Sequence, residues 1–357
     1  MRRAGSRAQY RRPPMMHGMQ NPTIVFRGPG VVELEDRPMP SPGPGEVLLR
    51  TRRTLVSPGT ELTILAGDFA PGSAWDAYGQ FPFVAGYSAA AEVAALGEGV
   101  ESVGVGDVVA AGTPHSRWVT AAERAVYPLH GADVPLELMP FVTLAATVMN
   151  GVRRSQVGWG ESVVVFGLGL IGQLTVRYCR LCGARPVIGV DPIDARLALL
   201  PPDVIGVHPE RLSLRDIVAS ATRRRLADVV FEATGNAQLI PGEFDVLRRE
   251  QGRFVVLSSP RGEPVPFDFH DLANSPSHTI IGAHISSHPP VETPQTPWTI
   301  ARNAELFFGL VSDRELELEP LISHRLRFGD ACDAYRSLLE DRSQSLAVVL
   351  DWDGESP

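Results

Sequence analysis

Gly167-Leu168-Gly169-Leu170-Ile171-Gly172 follows the apolar run Ser162–Phe166 and opens a helically spaced segment, Ile171–Cys182. A glycine triplet is a weak signal by itself, but the strand–turn–helix context gives it meaning. Gly167 permits a tight turn, Gly169 lets a pyrophosphate approach the backbone, and Gly172 lets the helix close on the strand. The backbone N–H groups of Leu168, Leu170 and Ile171 then surround a helix N-terminus carrying roughly half a positive charge. Asp191 ends the next apolar run, 19 residues beyond Gly172, where an acid binds adenosine ribose hydroxyls. A 2′-phosphate about 4 Å from that carboxylate meets a repulsion on the order of 4 kcal/mol at an effective dielectric of about 20. NAD is therefore expected over NADP, unless Arg196 swings in to compensate.

The 357 residues suggest two domains. After Gly160, strands alternate with helices: strands Pro186–Val190, Asp228–Glu232 and Arg253–Leu257, helices Ala195–Leu200 and Phe244–Arg249, and a β run His278–Ser286. That alternation predicts an α/β, doubly wound parallel sheet over residues 150–287. From Pro22 to Pro128, short β runs are broken by Gly and Pro, as in a compact β domain. A helix is predicted over Leu138–Val152. The last part (helix Thr299–Leu310, strand Ser323–Arg327, helix Gly329–Glu340, strand Ser345–Leu350) returns to complete the β domain, giving 21–149 joined by 288–357.

Composition excludes several functions. The net charge of −8 opposes polyanionic partners, so no nucleic acid is expected. All 33 basic residues are arginine, which removes lysine Schiff-base and P-loop chemistry. Three cysteines, Cys179, Cys182 and Cys332, are too few for a disulfide scaffold and point to the cytoplasm. Nothing resembles a membrane span. Residues 1–20 hold five arginines and no acid and read as a disordered tail.

The segments Gly43-Pro-Gly-Glu-Val47, Pro82-Phe-Val-Ala-Gly86-Tyr87, Glu92–Val100, Gly106-Asp107-Val-Val109, the glycine motif, Asp228–Gly235 and Ala331–Tyr335 together resemble the medium-chain dehydrogenase/reductase superfamily over residues 22–350. The resemblance implies a GroES-like catalytic domain beside a Rossmann domain, an active site between them, cofactor contacts at Thr234 and Gly235, and a homodimer formed through the last Rossmann strand. It also exposes departures. Positions that hold zinc ligands in alcohol dehydrogenases carry Pro58, Tyr87 and Thr143, and the structural-zinc lobe is missing, so no zinc is expected in either place. Ser57-Pro-Gly-Thr-Glu61 with Gly86-Tyr87-Ser88 is similar to zinc-lacking bacteriochlorophyllide hydroxyethyl dehydrogenases and natural-product tailoring enzymes.

Without a metal, a side chain must manage the proton that accompanies hydride transfer. The resemblance puts Tyr87 in the cleft, as proton donor or as plain wall. It makes Thr60 a relay hydroxyl or a simple cap, and Glu61 an acid that orients its neighbours. Ser57 is expected to bond backbone. His115 reads as structural, Asn150 as equally a nicotinamide contact or packing, Cys179 and Cys182 as helix packing, and His270, His278, His284 and His288 as scattered. The leading expectation is interconversion of a secondary alcohol and a carbonyl on a small metabolite. Alternatives are enone or quinone double-bond reduction with NAD(P)H, and a non-catalytic nucleotide-binding scaffold or redox sensor.

Overall fold

The computed structural model describes residues 20–262 and 265–354, so the expected tail lies, but for Gln20, outside the described residues. Strands β1 (Pro22–Gly28), β2 (Val31–Asp36) and β3 (Glu46–Val56) lead into helices α1 (Pro58–Ala66) and α2 (Ala74–Tyr78). Strands β4 (Phe83–Val84), β5 (Ala89–Leu96), β6 (Val108–Ala111), β7 (Trp118–Ala122) and β8 (Val126–Pro128) complete the first part. Helix α3 (Val142–Ser155) runs through the expected 149/150 junction.

There follow β9 (Val163–Phe166), α4 (Leu170–Leu181), β10 (Val187–Val190), α5 (Asp194–Leu197), β11 (Ile205–Val207), α6 (Leu214–Ala221), β12 (Val229–Glu232), α7 (Ile240–Glu243), β13 (Arg253–Val256) and β14 (Thr279–Gly282). Their strands form one parallel sheet in the order β11-β10-β9-β12-β13-β14. Every residue of β9, β10 and β12 is buried, as helix-covered parallel strands require. The chain reverses direction across the sheet between β9 and β12, which opens a crevice outside their carboxyl ends. Helix α8 (Ile300–Ser312), β15 (Ile322–Arg327), α9 (Ala331–Glu340) and β16 (Ala347–Asp351) return to the first part, where β16 pairs antiparallel with β3. The β3 strand is the spine of that second sheet, pairing also with β5 and β7. An apolar core runs from Leu55 and Ala90 through Ala145 and Met149 of α3 to Val163 and Val165, so α3 joins both sheets.

Several local expectations need correction. Phe244–Arg249 is not a helix: Phe244–Val246 forms a 3-10 turn, because the Phe244 ring stacks on Phe254 with centroids 4.2 Å apart and Val246 and Leu247 also turn into the core. The helix expected over 195–200 is the four-residue α5. The β run expected to reach Ser286 stops at Gly282, and Ile285–Ser287 is a 3-10 turn. Helices α1, α2 and α6 and strand β11 were not anticipated.

Candidate active site

The glycine motif forms a cradle. Gly167 adopts a φ of +82°, and a side chain there would meet the Ala233 carbonyl oxygen at 2.8 Å. A Cβ on Gly172 would overlap the Gly167 carbonyl at 1.8 Å, so only glycine lets α4 approach β9 this closely. Gly169, by contrast, meets no protein atom within 4 Å. Its lack of a side chain answers no packing demand inside the chain, and it leaves space at the start of α4, beside Leu170 and Ile171. These features fit a dinucleotide diphosphate.

Asp191 follows β10 and is 2% exposed. One carboxylate oxygen accepts the Leu168 N–H at 2.8 Å and the other the Ile193 N–H at 2.9 Å, so the acid also fixes the glycine turn. Arg196 brings a guanidinium nitrogen to 3.4 Å from the same carboxylate. The compensating cation is thus already beside Asp191. Thr234 and Gly235 follow β12, their N–H groups donating to the buried Glu232 carboxylate at 2.7 and 2.9 Å. That anchor holds their loop against Gly167.

A second cluster forms where β3 runs into α1. Gly86, at a φ of +92°, packs so tightly on the His115 ring that a Cβ would lie 2.6 Å from it, and this contact sets the course of the chain into Tyr87. The Tyr87 hydroxyl donates to Ser57 Oγ at 2.5 Å and stands 3.3 Å from Thr60 Oγ1. Ser57 is the N-cap of α1 yet its side chain makes no capping bond. The expectation that it bonds backbone is therefore overturned, because the phenol takes the hydroxyl. Serine before Pro58 at a helix start was the available signal. Burial, ahead of every other influence, pushes the Tyr87 phenol up to about 12. The phenol is neutral near pH 7, a proton donor rather than a base.

Glu61 lies beneath this trio, 1% exposed. It accepts the Ser57 N–H at 2.8 Å, the Tyr335 hydroxyl, and His115 Nε2 at 3.0 Å. His115 is wholly buried and its Nδ1 has no partner among the described residues. A neutral ring donating through Nε2 to Glu61 leaves only a bare acceptor at Nδ1, which is cheaper than an orphaned donor. Burial and the neighbouring Glu61 charge hold the Tyr335 phenol well above its ordinary value. Glu61 and His115 thus brace α1 from below.

Pro58, Tyr87 and Thr143 lie in connected segments. Thr143 Oγ1 donates to the Tyr87 carbonyl at 3.3 Å, and Pro58 adjoins Ser57. Their side chains do not suit zinc, and among the described residues no group of three or more His, Cys, Asp or Glu could hold a metal ion. Asn150 donates to the His284 carbonyl at 2.9 Å and to Ser287 Oγ at 2.8 Å, tying α3 to the chain after β14. Cys179 and Cys182 are free thiols, both raised chiefly by burial. His278 faces the Leu272 and Arg248 carbonyls, while His288 lies against Asn303. Among the described residues no helix is long and apolar enough to cross a membrane.

The zinc-binding dehydrogenase family matches residues 171–296. L-threonine 3-dehydrogenase of Symbiobacterium thermophilum is 28% identical over 361 residues, covering 91% of this chain and 95% of the relative. The 2-desacetyl-2-hydroxyethyl bacteriochlorophyllide A dehydrogenase of Cereibacter sphaeroides is 25% identical over 353 residues, covering 94% and 99%. A short chain alcohol dehydrogenase from Escherichia coli CFT073, solved with NADH, has the same fold: TM-score 0.75 at 18% identity, covering 94% of this chain and all of that one. The family match spans the parallel-sheet part from α4 onward and does not reach Pro58, Tyr87 or Thr143.

Proposed function

This chain belongs to the medium-chain dehydrogenase/reductase superfamily, and from that footing we propose a zinc-independent, NAD(H)-dependent oxidoreductase. It interconverts a secondary alcohol and a carbonyl on a small metabolite such as a sugar, a cyclitol or a natural-product intermediate. The observation that carries the reading is the hydroxyl trio: a neutral Tyr87 phenol bonded to Ser57 beside Thr60, at a cleft position whose side chains are poor zinc ligands. The relatives named above act on alcohols by name, and one neighbour of the same fold binds NADH.

Bound nicotinamide supplies or accepts the hydride. The chain's own residues handle the proton. In the reductive direction the Tyr87 proton would leave its bond to Ser57 Oγ for the carbonyl oxygen, the Ser57 and Thr60 hydroxyls would turn to hydrogen-bond the phenolate, and solvent would return its proton. Gly169, Leu170 and Ile171 receive the diphosphate, and Asp191 the adenosine ribose. Arg196 narrows the discrimination against NADPH without abolishing it. The working unit is a cytoplasmic homodimer joined along β14, an edge strand whose Ile280 is 44% exposed; light scattering showing a monomer would remove that part.

Purified protein should bind NADH, contain no stoichiometric zinc and reduce a carbonyl. Tyr87→Phe should lower turnover by about a hundredfold while NADH affinity stays unchanged. Equal turnover in the variant removes Tyr87 from its role. Stoichiometric zinc, or an enone reduced in preference with NADPH, overturns the reading itself.

A further inference from the structure

Helix α2 is short and none of its residues is fully buried, yet its first turn is fixed. Ser73 Oγ accepts the Asp76 N–H at 3.1 Å, and the Asp76 carboxylate accepts the Gly72 N–H at 2.8 Å, so the two side chains cap the helix together. What this helix presents is aromatic. Tyr78 is 53% exposed, its ring in edge contact with Phe83 at 5.5 Å between centroids and 6.5 Å from the Trp75 ring. The Tyr78 hydroxyl makes no hydrogen bond among the described residues. One side of the ring and the hydroxyl are both open to a ligand.

The contact with Phe83 ties Tyr78 to the candidate site. Phe83 lies on β4, four residues before Tyr87, and the chain between them is held on both sides. The Ala85 N–H donates to the Ile24 carbonyl at 3.1 Å, and Gly86 packs on the His115 ring. Burial, and then the Glu61 charge, hold the Tyr78 phenol above its ordinary value, and Tyr78 is in turn among the groups that raise Tyr87. Such effects fall off with distance, so the Tyr78 hydroxyl shares the neighbourhood of Tyr87 and Glu61. Four neutral hydroxyls, those of Ser57, Thr60, Tyr78 and Tyr87, thus gather beside an exposed aromatic ring.

That combination has a chemical complement. The C–H groups on one side of a saturated ring are weakly positive and settle on the negative face of an aromatic ring. Ring hydroxyls, in turn, exchange hydrogen bonds with phenols and serine or threonine hydroxyls. We infer that Tyr78 is a specificity-determining residue for a saturated six-membered ring that carries a second oxygen next to the reacting carbon. The ring lies on Tyr78, the reacting oxygen meets Tyr87, and the Tyr78 hydroxyl bonds the neighbouring oxygen. The substrate class is then cyclic polyols and their ketones, in preference to open-chain alcohols. Tyr78 itself makes and breaks no covalent bond: the nicotinamide carries the hydride and Tyr87 the proton. The inference rests on the reading of Tyr87 as proton donor and adds a residue outside the hydroxyl trio.

The test compares wild type, Tyr78→Phe and Tyr78→Ala, each checked for native melting, on cyclohexanone, 2-hydroxycyclohexanone and open-chain acetoin with NADH. Wild type should favour 2-hydroxycyclohexanone in kcat/KM over the other two. Tyr78→Phe should lower kcat/KM for 2-hydroxycyclohexanone about tenfold and leave cyclohexanone unchanged, because only the hydroxyl is lost. Tyr78→Ala should also lower cyclohexanone by about tenfold while acetoin holds steady, since the ring face is gone. NADH affinity should be the same in all three proteins. Variants that match wild type on every ketone, or that lose all three ketones alike, overturn the assignment. A second readout needs no turnover: calorimetry of trans-cyclohexane-1,2-diol on NADH-saturated protein, where Tyr78→Ala should weaken binding about tenfold. Equal affinity in the variant, or no binding by wild type, also overturns the assignment. Wild type that binds NADH and shows the Tyr78-dependent diol binding, yet reduces no ketone, instead defeats the alcohol–carbonyl reading.

Discussion

The proton-donor role proposed for Tyr87 requires its hydroxyl to be held in place, and the groups that hold it belong to distant parts of the chain. Ser57 receives the phenol because its own N–H is fixed by Glu61, and Glu61 is fixed in turn by His115 and Tyr335. The buried carboxylate serves three donors from three segments, an arrangement suited to positioning the hydroxyls. Glu61→Gln replaces one acceptor oxygen with an NH₂ group that faces donors. Leaving one buried donor unmatched costs about 1–3 kcal/mol. The variant should therefore melt earlier in denaturant by that amount, and its kcat should fall more than its KM rises, because Ser57 loses its fixed geometry. A variant with wild-type stability and kcat would show that the carboxylate is not what holds α1. The sequence reading made Glu61 an acid that orients its neighbours and His115 structural, but not their pairing, since Glu61 and His115 lie 54 residues apart and Glu61 and Tyr335 lie 274 apart.

At the scale of elements, legibility followed periodicity. The strands β9, β10, β12 and β13 stand out as short apolar runs because helices cover both faces of their sheet. Helix α1 hides because Glu61, Leu62, Thr63, Ile64 and Leu65 are all buried in succession, which leaves no polar face to mark a helical period. Helix α6 did carry a start signal, Ser213 followed three residues later by Asp216, but only Val218 on it is fully buried. The glycine cradle was readable since local turn chemistry dictates it. The 3-10 turn at Phe244–Val246 was not, because packing on Phe254 overrides local preference. The preceding helix α7 places an unusual carboxyl: Glu243 is 2% exposed, and neither oxygen has a partner among the described residues. Burial first, and then the Glu232 charge, push it up to about 9. The folded chain thus keeps a proton that an unfolded glutamate releases near pH 4.3. Its contribution to stability is intact below about pH 4.3 and is lost as pH rises toward about 9, at up to roughly 1.4 kcal/mol per unit. Glu243→Leu should remove that slope and stabilise the protein by about 2–4 kcal/mol near pH 8. Urea unfolding at pH 6 and pH 8 checks it: equal m-values and a gain that grows by up to about 3 kcal/mol from pH 6 to pH 8 support the assignment, and a gain of the same size at both, or a loss at both, refutes it.

For the whole molecule, the order of elements matters as much as the site. The chain begins the β-rich sheet, leaves it through α3 to build the parallel sheet, and comes back in β16 to pair with β3. The strand that carries the chain into Ser57 is therefore supported by residues some 290 positions later, with Val348 opposite Val56 and Val349 opposite Leu55. Beyond Ser345 the segment buries Leu346, Val348, Val349, Leu350 and Trp352, and the Trp352 ring stacks on Phe328 with centroids 4.7 Å apart. Its indole N–H donates to Thr54 Oγ1 on β3 at 2.9 Å. Each such side chain contributes roughly 1.5–3 kcal/mol by leaving water. Together they approach the whole net stability of a domain, about 5–15 kcal/mol. A chain ending at Gln344 should therefore lose the β-rich unit, and with it Ser57 and Tyr87, while the parallel sheet keeps its own closed set of strands. The truncated protein should be inactive, with weakened NADH binding and protected amides confined to β9–β14. Full protection across β3 and β5 in hydrogen exchange would show instead that the first 150 residues hold their sheet unaided.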